Sequence, residues 1–410
     1  MKIIIVVGAR PNFMKVAPII AALKAENAQR PSEEQIQHVL VHTGQHYDDS
    51  MSGSFFRDLG LPKPDVHLGV GSGSHAVQTA EIMRKFEEVL LGERPDVVVV
   101  AGDVNSTLAC SLVAAKTAFD SAGTRALSVH VEAGLRSFDR SMPEEINRVL
   151  TDHLCDLLFV TEESGLQNLR KEGISDRKIH FVGNTMIDSL LACRERAEAS
   201  TILDQLALRT GTENAGAGNS IGRYALLTLH RPANVDDRDA FMNILAGVEG
   251  LAAECPIIFP VHPRTRRRIE DFSLRSQLEM VRGKGTNHAH GPQRGIVTTD
   301  PLGYLDFLCL MKHATLVLTD SGGIQEETTC LGIPCVTLRD NTERPVTVEN
   351  GTNILAGRTT AGIRDAIRRQ MARKPSGCVP EKWDGRAATR IVDVLIRARE
   401  TRASAGVLAR

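Results

Sequence analysis

The chain carries no excess of either charge: 49 Lys and Arg stand against 50 Asp and Glu in 410 residues, a net charge of −1. That excludes a dedicated nucleic-acid surface and a polybasic membrane anchor. The eight cysteines form no CxxC pair and no zinc-type cluster, and several lie in apolar runs. Buried free thiols in a reducing, cytoplasmic compartment are therefore expected. No run approaches the length of a membrane span, and the apolar start Ile3–Val7 is too short for a signal-peptide core. Three familiar motifs are also missing. The nearest approach to G-x-G-x-x-G, GVGSGS at 69–74, ends in Ser and follows no convincing strand, and neither a Walker P-loop nor H-E-x-x-H occurs. Asp237-Arg238-Asp239 is a formal D-x-D match, but PANVDDRD reads as a loop feeding a helix N-terminus, and His288 and His290 read as loop residues. The expectation is a protein with no redox cofactor and no bound metal.

What is present is a repeated alternation. A hydrophobic content of 42% with 24% charged residues is that of a globular protein, and the length exceeds one ordinary core, so two domains are expected. Short apolar runs at 2–8, 38–44, 96–103, 126–134 and 156–162 read as strands buried on both faces. Helix-like stretches at 13–28, 74–92, 105–122 and 143–154 separate them. This is the pattern of a parallel sheet covered on both sides. GTENAGAGNS at 211–220 interrupts it as a linker-like stretch, after which runs at 224–230, 256–262, 295–300, 315–320 and 334–340 start a second series. The reading is two doubly wound α/β domains. The last dozen residues look frayed.

In open parallel sheets, ligands bind beyond the carboxyl ends of the strands. Those ends carry Gly8-Ala9-Arg10-Pro11, Thr43-Gly44-Gln45-His46, Gly102-Asp103 and Glu132-Ala133-Gly134 in the first series. In the second they carry His230-Arg231-Pro232, His262-Pro263-Arg264 and Asp320-Ser321-Gly322-Gly323. The concentration of charge favours a polar, anionic ligand. Lys15, one turn into the first helix, can point back to the strand end beside Arg10. Asp103, Glu132 and the Pro143-Glu144-Glu145 segment supply three acidic positions near one sheet edge, where a pair of carboxylates can transfer protons on two faces of a carbon. Asp103 also suits a helix N-cap, and Glu144 suits the first turn of a helix that opens with a Pro. Glu132 interrupts an apolar strand just before a Gly. Ser321-Gly322-Gly323 allows backbone N–H groups at a helix N-terminus to close on a phosphate, with Glu327 a turn further on for a ribose diol; a plain tight turn is the alternative.

GARPNFMKVAP (8–18), TGQHYDDSMS (43–52), GDVNSTLA (102–109), HVEAGLRSFDRSMPEEINR (130–148), GNTMID (183–188), LHRPANVD (229–236), PVHPRTR (260–266), TDSGGIQEE (319–327) and RDNTERP (339–345) occur in that order. Together they resemble the non-hydrolysing UDP-N-acetylglucosamine 2-epimerases over nearly the whole length. The resemblance implies the GT-B fold, two Rossmann-like domains facing a central cleft. The N-terminal domain would be 1–185, completed by a C-terminal helix at 385–410, and the second 186–384. It implies Asp103, Glu132, Glu144, His230 and Lys15 as catalytic residues. Arg10, Arg148, Phe307, Ser321, Gly322, Gly323, Glu327 and Arg344 would bind the substrate. Gln45, His46 and His262 match part of a second nucleotide-sugar site in regulated members. The implied reaction is C2 epimerisation of UDP-N-acetylglucosamine to UDP-N-acetylmannosamine through elimination of UDP to 2-acetamidoglucal and its return, without a cofactor. The implied partners are the UDP-sugar and a second copy in a homodimer, with no nucleic acid and no membrane. A 2-epimerase acting on UDP-2,3-diacetamido-glucuronic acid and a GT-B glycosyltransferase are the alternatives.

Overall fold

A computed structural model of the chain describes residues 1–44, 57–210, 220–275, 278, 294–372 and 378–408. The chain forms two compact units, Met1–Ala192 with Glu381–Arg410 and Cys193–Pro380. The division falls inside the helix Thr185–Glu198.

The first unit is built on a parallel sheet of β1 (Lys2–Val7), β2 (Gln37–His42), β3 (Val66–His67), β4 (Val97–Ala101), β5 (Leu127–Ala133), β6 (Leu157–Val160) and β7 (Ile179–Phe181), in the order β3-β2-β1-β4-β5-β6-β7. The central strands are apolar throughout because helices cover both faces: every residue of β4 is buried, as is β1 from Ile3 onward. The helix His75–Glu93 shows how the cover is made. It buries Gln78, Ile82, Phe86 and Leu90, four residues apart on one face. It starts on the Ser74 hydroxyl, which accepts the Val77 N–H, and stops at Arg94 in the left-handed region. The C-terminal segment returns to this unit: the indole N–H of Trp383 donates to the Thr161 carbonyl at 2.9 Å. The helix Ala387–Leu408 then continues through residues expected to fray.

The second unit repeats the plan with β10 (Ala225–Thr228), β11 (Pro256–Pro260), β12 (Gly295–Thr299), β13 (Leu316–Thr319), β14 (Cys335–Thr337) and β15 (Asn353–Leu355), ordered β12-β11-β10-β13-β14-β15 and parallel throughout. A small antiparallel ribbon, β8 (Arg209–Thr210) with β9 (Ser220–Ile221), precedes it. In each sheet the strand order reverses at one place, between β1 and β4 and between β10 and β13. Such reversals open a crevice at the strands' carboxyl ends.

None of the eight cysteines forms a disulfide, and Cys378 is exposed. Burial pushes the thiols of Cys155 and Cys335 up to about 12, so they are packing residues rather than nucleophiles. No described helix is long and apolar enough to cross a membrane.

Candidate active site

At the reversal in the first unit, Asn12 fixes the turn after β1. Its side-chain oxygen accepts the Gly8 and Ala9 N–H groups at 3.1 and 2.9 Å, and its amide donates to Ala101 O at the end of β4 at 2.7 Å. The helix Arg10–Asn27 therefore starts on the crevice, and its second turn carries Lys15 across it. Lys15 Nζ lies 2.5 Å from Glu132 Oε2, with both side chains 5% exposed. The lysine passes over Gly102, where a Cβ would sit 2.6 Å from Nζ, and Gly102 also needs its φ of +69°.

Glu132 sits in a bulge. The pairing of β5 with β6 slips between Val131 and Ala133, and Glu132 takes φ +75°, a left-handed conformation costly for a residue with a side chain. A bulge turns a residue out of the pleat. That is how a glutamate within a buried strand comes to face the Lys15 ammonium rather than the apolar core. Strain of this kind at a strand end is found where a side chain has to be aimed.

Asp103 follows β4, but it does not cap the next helix, whose N-cap is Val104. Its carboxylate instead accepts from Arg148 Nη1 at 2.5 Å. Arg148 is buried and also donates to Glu145 through Nε and Nη2. Glu145 in turn accepts the N–H groups of Ser137 and Phe138. Burial pushes Glu145 up, yet the Ser137 N–H and the Arg148 guanidinium outweigh it and hold the carboxyl below its usual range. The helix Pro143–Leu154 thus presents two adjacent acids with different surroundings. Glu145 is locked into the loop, while Glu144, in the first turn, is half-exposed.

In the second unit, Asp320 occupies the equivalent reversal. Fully buried after β13, it accepts the N–H groups of His230 and Arg231 and the Asn234 amide. His230 Nδ1 lies 3.0 Å from its Oδ1. A carboxylate on Nδ1 holds the ring in one orientation and directs Nε2 outward; the His230 side chain is 42% exposed. Burial raises Asp320, and the His230 charge together with the converging N–H donors overcomes that and lowers it.

The Ser-Gly-Gly turn begins the helix Gly322–Leu331 with Ser321 as N-cap, and the Ser321 hydroxyl makes no capping bond to the helix's own N–H groups. A Cβ on Gly322 would lie 2.5 Å from Arg344 Nη1 and 2.6 Å from Glu343 Oε1, so only glycine admits this ion pair against the turn. The two acids that follow diverge. Glu326 pairs with Arg344 Nε at 2.8 Å, whereas Glu327 accepts from the Tyr304 hydroxyl at 2.9 Å. Burial, with the Glu326 charge adding to it, pushes Glu327 up to about 8 against the lowering effect of the Tyr304 hydrogen bond. Phe307 is half-buried on the helix Tyr304–His313. His262 caps the helix Pro263–Asp271 through Nδ1, and its ring lies 6.3 Å from that of His230. Asp237 likewise caps the helix Arg238–Glu254. Gln45, His46 and the Arg10 side chain lie outside the described residues.

The first unit therefore brings Lys15, Asp103, Glu132 and Arg148 to one sheet edge. The second brings His230, Ser321, Gly322 and Arg344 to another. Three residues with no assigned role in the sequence prove central to these constellations: Glu145, Asp320 and Glu343. Each had a signal: Glu145 its place in the acidic Pro143-Glu144-Glu145 segment, Glu343 its place in RDNTERP, and Asp320 its position immediately before Ser-Gly-Gly at a strand end.

Two parallel-sheet α/β units, each with charged groups gathered where its strand order reverses, define a two-domain enzyme of the GT-B type. A family model described as UDP-N-acetylglucosamine 2-epimerase matches residues 29–396. The UDP-N-acetylglucosamine 2-epimerase of Methanocaldococcus jannaschii is 43% identical over 401 residues, 96% of this chain and 99% of that one. The UDP-2,3-diacetamido-2,3-dideoxy-D-glucuronate 2-epimerase of Pseudomonas aeruginosa is 36% identical over 400 residues, 97% of this chain and 100% of that one. A crystal structure of the M. jannaschii enzyme in complex with UDP-GlcNAc and UDP matches with a TM-score of 0.82 at 41% identity, covering 97% of this chain and all of that one (100%). The chain belongs to the UDP-N-acetylglucosamine 2-epimerase family, a family of non-hydrolysing isomerases.

Proposed function

We propose that the protein interconverts UDP-N-acetylglucosamine and UDP-N-acetylmannosamine by inverting C2. The observation that carries this reading is the bulged Glu132 facing Lys15, with Asp103 presented from the neighbouring strand. An acceptor site for glycosyl transfer has no use for several aimed carboxylates, and the family match sets the glycosyltransferase alternative aside.

The C2–H of a sugar is not acidic. Cleavage of the bond from C1 to the diphosphate oxygen, the electron pair leaving with UDP, gives C1 oxocarbenium character that acidifies it. Loss of the C2 proton to a carboxylate then yields 2-acetamidoglucal. Protonation on the opposite face and return of UDP to C1 complete the inversion, and the atoms balance without an oxidant. In this reading Asp103, Glu132 and Glu144 are the acid/base candidates. Lys15 sets the charge around Glu132, and Arg148 orients Asp103. Arg10 and His230 stabilise the departing diphosphate, His230 through the Nε2 that faces outward because Asp320 holds Nδ1. Ser321, Gly322 and Gly323 receive the diphosphate at the helix N-terminus, Glu327 the ribose and Phe307 the uracil, with Arg344 bracing the turn. Gln45, His46 and His262 stay candidates for a second nucleotide-sugar site. A homodimer and a cytoplasmic location belong to the same reading; the absence of disulfides among the eight cysteines fits the location, and sedimentation tests the dimer.

The 36% identical Pseudomonas relative supports a second substrate reading, a UDP-2,3-diacetamido uronate. Incubation with each sugar nucleotide, without NAD or metal, and NMR of the products decides between them. UDP-N-acetylmannosamine from UDP-N-acetylglucosamine is the expected result. Free N-acetylmannosamine with UDP would show hydrolysis, and turnover of the diacetamido sugar alone would move the assignment.

A further inference from the structure

His130 lies in the middle of β5 with no solvent exposure, two residues before Glu132. Its Nδ1 is 2.6 Å from Asp152 Oδ1, and its Nε2 is 2.8 Å from the carbonyl oxygen of Gly102, the residue before Asp103. Both partners are acceptors, so the ring donates on both sides. Asp152, also fully buried, uses its second oxygen for the Gly134 N–H at 3.0 Å and Arg136 Nη1 at 2.7 Å. Arg136 is closed off by a two-bond pairing with Glu172. One carboxylate therefore grips the chain on either side of the bulge, at residues 130 and 134. Gly134 can take part because it has φ +83° and lies so close to Gly165 that a Cβ would be 2.5 Å from the Gly165 carbonyl oxygen.

We infer that Asp152 and His130 are positioning residues for proton transfer: Asp152 clamps the bulge that aims Glu132, and His130 extends the clamp through the Gly102 carbonyl to Asp103. Neither touches the substrate. The inference rests on the proposed epimerase reading, which makes Glu132 and Asp103 the acid/base candidates. Its logic is geometric. A left-handed glutamate relaxes back into the pleat unless something outside the strand holds both ends of the bulge. Asparagine at 152 can preserve the arrangement, because its oxygen accepts from Gly134 and Arg136 while its amide donates to a neutral His130 that still donates to Gly102. Alanine cannot.

The test compares Asp152→Ala, Asp152→Asn and His130→Ala with wild type in steady-state epimerisation, with UDP affinity and Trp383 fluorescence measured on the same samples. Misplacing the acid/base groups by about an ångström is expected to cost Asp152→Ala roughly 100-fold in kcat. KM and UDP affinity should stay within about threefold, because the proposed UDP contacts other than Arg10 belong to the second unit. Asp152→Asn should recover to within about tenfold of wild type, and Asp152→Ala with His130→Ala combined should lose no more than the worse single change. Wild-type kcat in Asp152→Ala, an Asn variant as slow as the Ala variant, or a loss of kcat that tracks the unfolded fraction seen by Trp383 would each overturn the inference. An inactive wild type would sink the epimerase reading itself.

Discussion

The Lys15–Glu132 pair gives the sharpest stability prediction. The two groups are 2.5 Å apart and each side chain is 5% exposed, so neither charge has water to fall back on. Removing one partner of a buried pair leaves the other uncompensated and costs about 3–5 kcal/mol. Lys15→Met should therefore destabilise the first unit by about that amount, since it takes the Lys15 ammonium away from the buried Glu132 carboxylate. Glu132→Gln should cost less, about 2 kcal/mol, because the Gln oxygen still accepts from the ammonium. Lys15→Met with Glu132→Gln removes both charges and should return to within about 1 kcal/mol of wild type. The backbone strain at Glu132 is common to all and cancels. Trp383 supplies the readout: it is the chain's one tryptophan, it belongs to the first unit, and it is 2% exposed. Urea unfolding followed by its fluorescence measures each variant. Additive costs, or a shift below about 0.5 kcal/mol for Lys15→Met, would refute the reasoning. All three variants should be inactive despite the recovered stability of the double change, which separates the pair's catalytic use from its structural cost.

Further predictions concern the second unit. Glu327 is held at about 8 against an ordinary 4.5, so between those values the folded unit keeps a proton that the unfolded chain has released. Stability of that unit should fall as pH rises through this window and level off above it, and Glu327→Gln should abolish the slope in hydrogen exchange of the β13 amides. Uridine, which has no titrating phosphate, should bind more tightly as pH passes 8, when the carboxylate becomes free to accept ribose hydroxyls. Asp320→Asn leaves at least one buried N–H donor short of an acceptor, at about 1–3 kcal/mol, and frees the His230 ring. It should lower kcat at least about tenfold in the epimerase assay. Gly322→Ala drives a methyl into Arg344 and Glu343 and should weaken UDP binding about tenfold by calorimetry, with the Trp383 transition unmoved.

The repeating strand pattern was legible because parallel strands buried on both faces are written as unbroken apolar runs. The strands that escaped are short: β3, β8 and β9 with two residues each, and β7 and β15 with three each, those outside the β8–β9 ribbon lying at the edges of the two large sheets. Runs that short carry no period. Glu132 stood out as a charge in an apolar strand, but its bulge is a property of the pairing with β6 and has no signature in β5 alone. Asp152 and His130 are 22 residues apart, and each reads as an ordinary helix or strand residue until the helix Pro143–Leu154 is packed on β5. The two acids after Ser-Gly-Gly could be paired with partners only once the fold placed Arg344 and Tyr304 beside them.

The most direct test of the account follows the C2 position of UDP-N-acetylglucosamine by NMR in D2O with the purified protein and no added cofactor. Epimerisation by proton removal and return predicts deuterium at C2 as UDP-N-acetylmannosamine appears, and loss of that exchange in Asp103→Asn and Glu132→Gln while UDP still binds. Formation of UDP-N-acetylmannosamine with protium retained at C2 would contradict it.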